Sequence, residues 1–486
     1  MLIANRGEIA VRVIRACRDL GFRAVAVCSP VDRTAPHAVW ADEVYLLPGD
    51  APAESYLNIG VLIKIARAAR VDAVHPGYGF LAENPAFARA CEDAGRVFVG
   101  PPSGVLAICG DKARTREQVA AAGVPVLPGT GPLDDQHLSA ASGRVGFPLL
   151  IKAAGGGGGK GIHLVRSATE LRDVVRIARG EAKAAFGDDR IYLERWLPGA
   201  RHIEVQVLAD RTGRVVALGE RDCSIQRRHQ KLIEESPAPA LDPGMRERIL
   251  RSGVTAAEAI GYRGAGTVEF LVSEHEFYFL EINARLQVEH PVTELVTGVD
   301  LVAEQLRIAR DGVMGIRETP VPRGHALECR ISAEDPHDGF LPSLGRVAAV
   351  REPGGPGIRL DSGLLPGVEV TRHYDPLLAK VVTWGPTREV AIARMRRALE
   401  EMIVDGIATT IPFHLWALAD PEFVAAQHTT AFIARWESRT QGRYEQEAII
   451  AAAASAYLEA QEIALPQIIP PQRWLRAARE EGLRDG

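Results

Sequence analysis

The chain has 486 residues, 47% of them hydrophobic and 24% charged, enough at about 150 residues per domain for roughly three domains with large cores, which excludes a disulfide mini-scaffold or a disordered chain. Lys and Arg number 57 against 62 Asp and Glu, a net charge of −5, so no broad surface for nucleic acid or anionic lipid is expected. Six scattered cysteines with no C-x-x-C spacing fit a reducing cytoplasm, and neither a signal peptide nor an apolar run of about 20 residues for a membrane span is present.

The first hundred residues alternate short β-rich runs with helical periods. Leu2–Asn5, Arg23–Val27, Val71–His75 and Val97–Gly100 read as strands. Helices are expected where Ile9, Val13, Ile14, Cys17 and Leu20 recur, near 58–69 and near 85–94. This βαβ pattern predicts an open, doubly wound parallel sheet with ligand loops at the carboxyl ends of its strands. Asn5-Arg6-Gly7-Glu8 and the run His75–Asn84 occupy that position, and no G-x-G-x-x-G fingerprint supports NAD binding.

A helical linker near 111–122 leads to a Pro- and Gly-punctuated boundary, 124–132. A small unit follows, with strands Leu149–Lys152, Ile162–Val165 and Ile191–Glu194 and a helix near 169–185. From about Pro198 to Trp436 a larger α+β region includes strands near 204–208, 215–220, 267–272, 277–283 and 326–331. An Ala-rich helix and a Pro-containing charged tail close the chain.

The five glycines Gly155–Gly159 precede Lys160, but a P-loop would need Gly at 154 and Ser or Thr at 161, where Ala154 and Gly161 stand. The β-rich run Ile162–Val165 follows instead of a helix, so the loop joins two strands. Such a hairpin can close over a triphosphate with backbone N–H groups, or be a surface loop without function. Lys152, ending the preceding strand, adds the fixed cation that a phosphate needs.

Glu269 and Glu281 lie in apolar strands, where a charge is costly unless partnered. With a three-residue turn, 274–276, Ser273 opposes Phe277 and Glu269 opposes Glu281, with Asn283 on the same face as Glu281. Two carboxylates and an amide oxygen suit Mg²⁺ or Mn²⁺ rather than zinc, the alternative being ion pairs with arginine. In 285–289, alternation would put Arg285, Gln287 and Glu289 on one side and Leu286 and Val288 in the core. That makes a small oxyanion site in which Glu289 could act as a base, or a structural Arg285–Glu289 ion pair. The charge-dense run Glu220–Lys231 reads by default as a solvated loop, with His229 and Lys231 converging on an anion if it is extended. Cys223 within it is expected to be inert.

These residues resemble the biotin carboxylases of the ATP-grasp superfamily, from Leu2 to about Trp436. The resemblance rests on IANRGEIA (Ile3–Ala10), HPGYGFLAEN (His75–Asn84), IKAAGGGGGKG (Ile151–Gly161), ERDCSIQRRHQK (Glu220–Lys231) and EINARLQVEHPVTE (Glu281–Glu294). It implies an α/β and α+β fold. Residues 1–110 would form an N-terminal doubly wound pre-ATP-grasp domain, 111–123 a helical linker and 124–197 a lid. An ATP-grasp core would cover 198–322, a biotin carboxylase C-terminal domain 323–436, and a helical tail of unknown role 437–486.

By the same resemblance, Lys112, Lys152, Gly158 and Gly159 hold ATP phosphates. Glu194, Arg195, Trp196, Leu197, His202, Gln226 and His229 surround the nucleotide, with Glu269 and Glu281 reaching it through Mg²⁺ or Mn²⁺ bound also by Asn283. Lys231, Arg285, Gln287 and Val288 match the bicarbonate site, Glu289 the general base, and Arg330 with Tyr78 the biotin site. Arg195 stands where lysine is common and Lys160 where arginine is frequent, and both keep the charge.

The implied reaction is ATP-dependent carboxylation of biotin through carboxyphosphate. No Ala-Met-Lys-Met-like turn occurs, so biotin is expected on a separate biotin carboxyl carrier protein, with carboxyltransferase subunits on other chains and the enzyme itself a homodimer. The expected context is an acetyl-CoA or other acyl-CoA carboxylase. The alternatives are a pyruvate or urea carboxylase subunit, or a catalytically silent ATP-binding regulatory protein.

Overall fold

A computed structural model describes residues 1–134, 136–154 and 161–440. Gly158, Gly159, Lys160 and the Ala-rich tail therefore lie outside the described residues.

The opening alternation forms a five-stranded parallel sheet in the order Glu43–Leu46, Val25–Cys28, Leu2–Ile3, Ala73–His75, Val97–Phe98. Strand order reverses between Leu2–Ile3 and Ala73–His75, and at such a switch point the carboxyl-end loops diverge to leave a crevice. Asn5 ties the two loops together: its Nδ2 donates to the Pro76 carbonyl at 2.7 Å and the Tyr78 carbonyl at 2.8 Å. Gly77, at φ +64°, leaves the room this needs, since a Cβ there would stand 2.8 Å from Asn5 Nδ2. Helix Gly7–Asp19 buries Ile9, Val13, Ile14 and Cys17 in one core with Leu286, Leu301 and Leu306.

The expected linker contains one helix, Lys112–Ala121, which the Asp111 side chain caps through Arg114 N–H; a further helix, Ser103–Gly110, precedes it. Beyond them, Leu149–Ala153 is the central strand of a three-stranded antiparallel sheet, flanked by Ile162–Val165 and Ile191–Arg195. Helices Leu138–Val145 and Leu171–Phe186 cover it, closing a separate small core of Leu149, Ile151, Val165, Leu171, Val175 and Leu193.

The rest is built on one eight-stranded antiparallel sheet. Its order is Phe277–Asn283, Gly264–Val272, Arg201–Ala209, Val215–Arg227, Gln230–Ser236, His325–Ser332, Leu377–Gly385, Ile358–Ser362. The sheet runs without a break past residue 323. No helix among the described residues is long and apolar enough to cross a membrane.

Two local expectations change. The run 220–231 is not a solvated loop but a hairpin, in which Arg228 and His229 (φ +48° and +65°) make a two-residue turn between long strands. The charges at its start are buried because they find distant partners, Arg221 in Glu204 and Asp222 in Arg201, while Arg228 and His229 at the tip are exposed. In the other hairpin Val272, not Ser273, opposes Phe277, so the turn has four residues; a bulge between Glu269 and Phe270 then restores the expected Glu269–Glu281 opposition.

Candidate active site

The centre of the site is Lys231, brought by the hairpin register opposite Gln226. Its Nζ donates to Glu289 at 2.7 Å, to Glu269 at 2.8 Å and to Glu204. Two groups of potential metal ligands among the described residues, His202–Glu204–Glu269 and Glu204–Cys223–Glu289, share the acids that Lys231 meets. The ammonium of Lys231 supplies the cation there.

Glu289 is fully buried at the N-cap of helix His290–Thr297, where a carboxylate also meets the positive end of the helix dipole. Its second oxygen accepts from Arg330 at 2.8 Å. Burial alone would push its carboxyl up, but Lys231, then Arg330 and Arg221, hold it well below the usual carboxylate range. Glu269 is likewise held low against burial by Lys231 and His202, whose Nε2 stands 3.0 Å away.

Arg221 forms the floor. Fully buried, it donates to Glu204, to Gln206 at 2.7 Å, to Thr293 at 2.9 Å and to Thr267 at 3.0 Å. Cys223 is inert as expected: burial, then the charge of Glu204, raises its thiol well above the ordinary value.

Arg285 does not pair with Glu289. Its Nε donates to Glu83 at 2.9 Å, and its other nitrogens to Gln287 at 2.8 Å and Asn283 at 3.3 Å. Gln287 continues to Glu269 at 3.3 Å, so Arg285, Gln287, Glu269, Lys231 and Glu289 form one connected polar wall. Leu286 and Val288 are buried, and the Val288 carbonyl accepts from Lys380 at 2.8 Å.

The expected metal set is a face of oxygen donors. Glu269 and Glu281 are opposed, and Asn283 follows two residues along on the same side. Asn283 Nδ2 is buried without a hydrogen-bond partner among the described residues. The donor chemistry fits a hard divalent cation, and Lys112 pairs with Glu281 beside it.

The cationic ends of the expected phosphate site are also paired. Lys152 meets the buried Glu194, which accepts from Arg116 at 2.8 Å. Arg195 and Trp196 are exposed and Leu197 half-buried in the segment leaving the small sheet. His229, at the hairpin tip, lies within electrostatic reach of Lys152, His202 and Lys112. Arg330 lies opposite Lys380 across neighbouring strands, and the Lys380 ammonium stands 5.8 Å from the Tyr78 ring centre.

Three family descriptions match along the chain: "Biotin carboxylase, N-terminal domain" over residues 1–106, "Carbamoyl-phosphate synthase L chain, ATP binding domain" over 111–315 and "Biotin carboxylase C-terminal domain" over 328–435. Biotin carboxylase 1 of Bacillus subtilis is 48% identical over 442 residues, covering 90% of this chain and 98% of that relative. The chain belongs to the biotin carboxylase family. Membership makes it a ligase with an ATP-grasp fold. A pyruvate carboxylase subunit from Methanothermobacter thermautotrophicus is 47% identical, with 89% of each chain covered. Among solved structures, the biotin carboxylase domain dimer of Hydrogenobacter thermophilus 2-oxoglutarate carboxylase, in complex with MgADP, ADP and bicarbonate, superposes with a TM-score of 0.86. It is 45% identical, with 89% of this chain and 96% of that one covered.

Within this biotin carboxylase chain, sequence reading missed the residues that hold the expected ones in place: Glu83, Arg116, Glu204, Arg221, Glu234 and Lys380. One signal was available. Glu204 and Gln206 alternate with Val205 and Val207 in an apolar strand, the pattern that singled out Glu269. The others declare themselves only through long-range pairing.

Proposed function

We propose that this chain carboxylates biotin presented by a separate carrier protein, using ATP and bicarbonate. The observation that carries the reading is Glu289, a fully buried carboxylate kept ionised between Lys231 and Arg330 beside the Arg285–Gln287 pair. Binding of bicarbonate by Arg285, Gln287 and Lys231 would do two things at once. The cations lower the proton affinity of the bound anion, and Lys231 turned toward it weakens its hold on Glu289, whose basicity rises. The deprotonated oxygen then attacks the γ-phosphorus to give carboxyphosphate and ADP.

Lys112 and Lys152 would leave Glu281 and Glu194 to neutralise the phosphates, with Gly158 and Gly159 closing over them. Glu194, Arg195, Trp196, Leu197, His202, Gln226 and His229 are assigned to the nucleotide. Glu269, Glu281 and Asn283 would hold Mg²⁺ or Mn²⁺, which when bound offsets charge on the transferring phosphoryl group. Carboxyphosphate yields CO₂ and a phosphate that takes the biotin N1′ proton. Arg285 and Arg330 stabilise the enolate-like biotin, with Tyr78 lining its site, and CO₂ adds to N1′.

The proposed setting is an acyl-CoA carboxylase, with carrier and carboxyltransferase on other chains and the enzyme a homodimer. The pyruvate carboxylase relative keeps a pyruvate-carboxylating assembly as the second reading. Bicarbonate-dependent ADP release with free biotin tests the activity, and turnover no higher than that of Glu289→Gln would refute it. Affinity capture from the native cell separates the two settings: an acyl-CoA carboxyltransferase supports the first, a pyruvate-specific transferase the second.

A further inference from the structure

Behind Arg330 lie two more acids that the mechanism does not use. Glu234 and Glu328 face each other directly across antiparallel strands, and both are fully buried. Directly opposed residues have Cβ atoms about 5 Å apart. Glu234 Oε1 accepts from Arg330, but Glu234 Oε2 and both oxygens of Glu328 have no hydrogen-bond partner among the described residues.

The charges around the pair leave Glu328 no cation of its own. On its strand, Arg330 is divided between Glu234 and Glu289. From the next strand, Lys380 donates to the Val288 carbonyl at 2.8 Å and stands 3.3 Å from Glu8 and 3.8 Å from Asp361. Helix His290–Thr297 packs Val292 and Val296 on Ala326 and Val382. It brings Glu289 and His290, whose imidazole burial keeps well below its usual value, and Glu294, which is taken by Arg12 and Arg359. Helix Arg388–Glu401 sends Arg388 to Glu235, the neighbour on the opposite face. Around Arg330, four buried carboxylates (Glu204, Glu234, Glu289, Glu328) meet three cations (Lys231, Arg221 and Arg330). An ionised buried carboxylate with neither a cation nor a donor is prohibitively costly, and two opposed acids resolve this by sharing a proton.

We propose that Glu234 and Glu328 share one proton, held on Glu328 and donated to Glu234 Oε2, and that this pair positions Arg330. With the proton on Glu328, Glu234 keeps its charge and retains Arg330. When the proton crosses to Glu234, Glu328 takes the charge and Arg330 loosens toward substrate; the step moves one proton and consumes nothing. Burial, the largest influence on both acids, agrees in direction, raising Glu234 to about 7 and Glu328 well above the carboxylate range. The assignment of Arg330 to biotin rests on the proposed function, but the shared proton does not.

The test is difference infrared spectroscopy of the ligand-free protein at neutral pH in H₂O and D₂O. Wild type minus Glu328→Gln should show the deuterium-sensitive carbonyl stretch of one protonated carboxyl. Its absence overturns the proposal. Glu234→Gln, which gives the same proton an amide acceptor, should displace that band, and an undisplaced band also overturns it, whether or not Glu328→Gln folds. Adding biotin and ADP should shift the wild-type band without removing it; no shift refutes the positioning of Arg330. Because the first two spectra need no turnover, they stand or fall separately from the ADP-release assay.

Discussion

Lys231→Met removes the cation shared by Glu204, Glu269 and Glu289. Breaking a buried pair by deleting one partner costs about 3–5 kcal/mol. Here no acid is left alone, since Glu204 keeps Arg221, Glu269 keeps His202 and Glu289 keeps Arg330. The loss should therefore fall near the lower end, about 3 kcal/mol, or roughly 10²-fold in the folding equilibrium. The pH dependence has a definite sign. Glu269 and Glu289 are held below their ordinary values when folded, so their contribution is present above the unfolded carboxylate value and is lost as pH falls through the folded one. Lys231 is raised, so its contribution is present below its ordinary value and is lost only as pH climbs through the folded one. The deficit should thus be flat from about pH 5 to about pH 10 and close below that window. Urea unfolding of wild type, Lys231→Met and Lys231→Arg at several pH values measures it. A Met deficit under about 1 kcal/mol at pH 7.5, or one that grows in acid, would refute the reasoning.

Gly77→Ala forces a left-handed conformation at φ +64° and pushes a Cβ against Asn5. It should cost about 2 kcal/mol and slow biotin carboxylation by displacing Tyr78; an unchanged unfolding midpoint would contradict this. Burial lowers the imidazoles of His37, His75 and His414 to about 4, so the unfolded chain binds their protons first as pH drops. Stability should fall between about pH 6.5 and pH 4 by roughly 3 kcal/mol for each, and His75→Gln should flatten that slope in pH-dependent thermal scans. Burial raises Cys17 to about 11 and Cys91 and Cys109 to about 12, with Cys223 and Cys329 well above the ordinary thiol value. Iodoacetamide should therefore label these thiols in the native protein only at the rate of unfolding, and rapid modification of Cys223 would count against the account.

The parallel sheet was legible because its strands are short, continuous apolar runs separated by helical periods, a pattern set locally. The opposition of Glu269 and Glu281 was legible too, but through a wrong turn: a four-residue loop and a bulge together reach the pairing that a three-residue loop alone would give. Strand alternation sees the face and not the slip. The hairpin around Cys223 was hidden because local polarity argues for solvent, while the charges of Arg221 and Asp222 are neutralised by Glu204 and Arg201, about 20 residues away along the chain. The Arg285–Glu289 pair fails for the converse reason: adjacency in sequence suggested it, but Glu289 stands at the N-cap position of a helix with its carboxylate turned toward Lys231 and Arg330, leaving Arg285 to Glu83. The Glu234–Glu328 pair needs the register of two strands about 90 residues apart, which no local pattern encodes.

Attack of bicarbonate on the γ-phosphate leaves one bicarbonate oxygen on the phosphate released. The most direct measurement is therefore the isotopic composition of inorganic phosphate formed from ATP and ¹⁸O-labelled bicarbonate in the presence of biotin. The arrangement of Lys231, Arg285, Gln287 and Glu289 predicts one ¹⁸O atom per phosphate, lost together with turnover in Glu289→Gln. Unlabelled phosphate, with its new oxygen drawn from water, would contradict it.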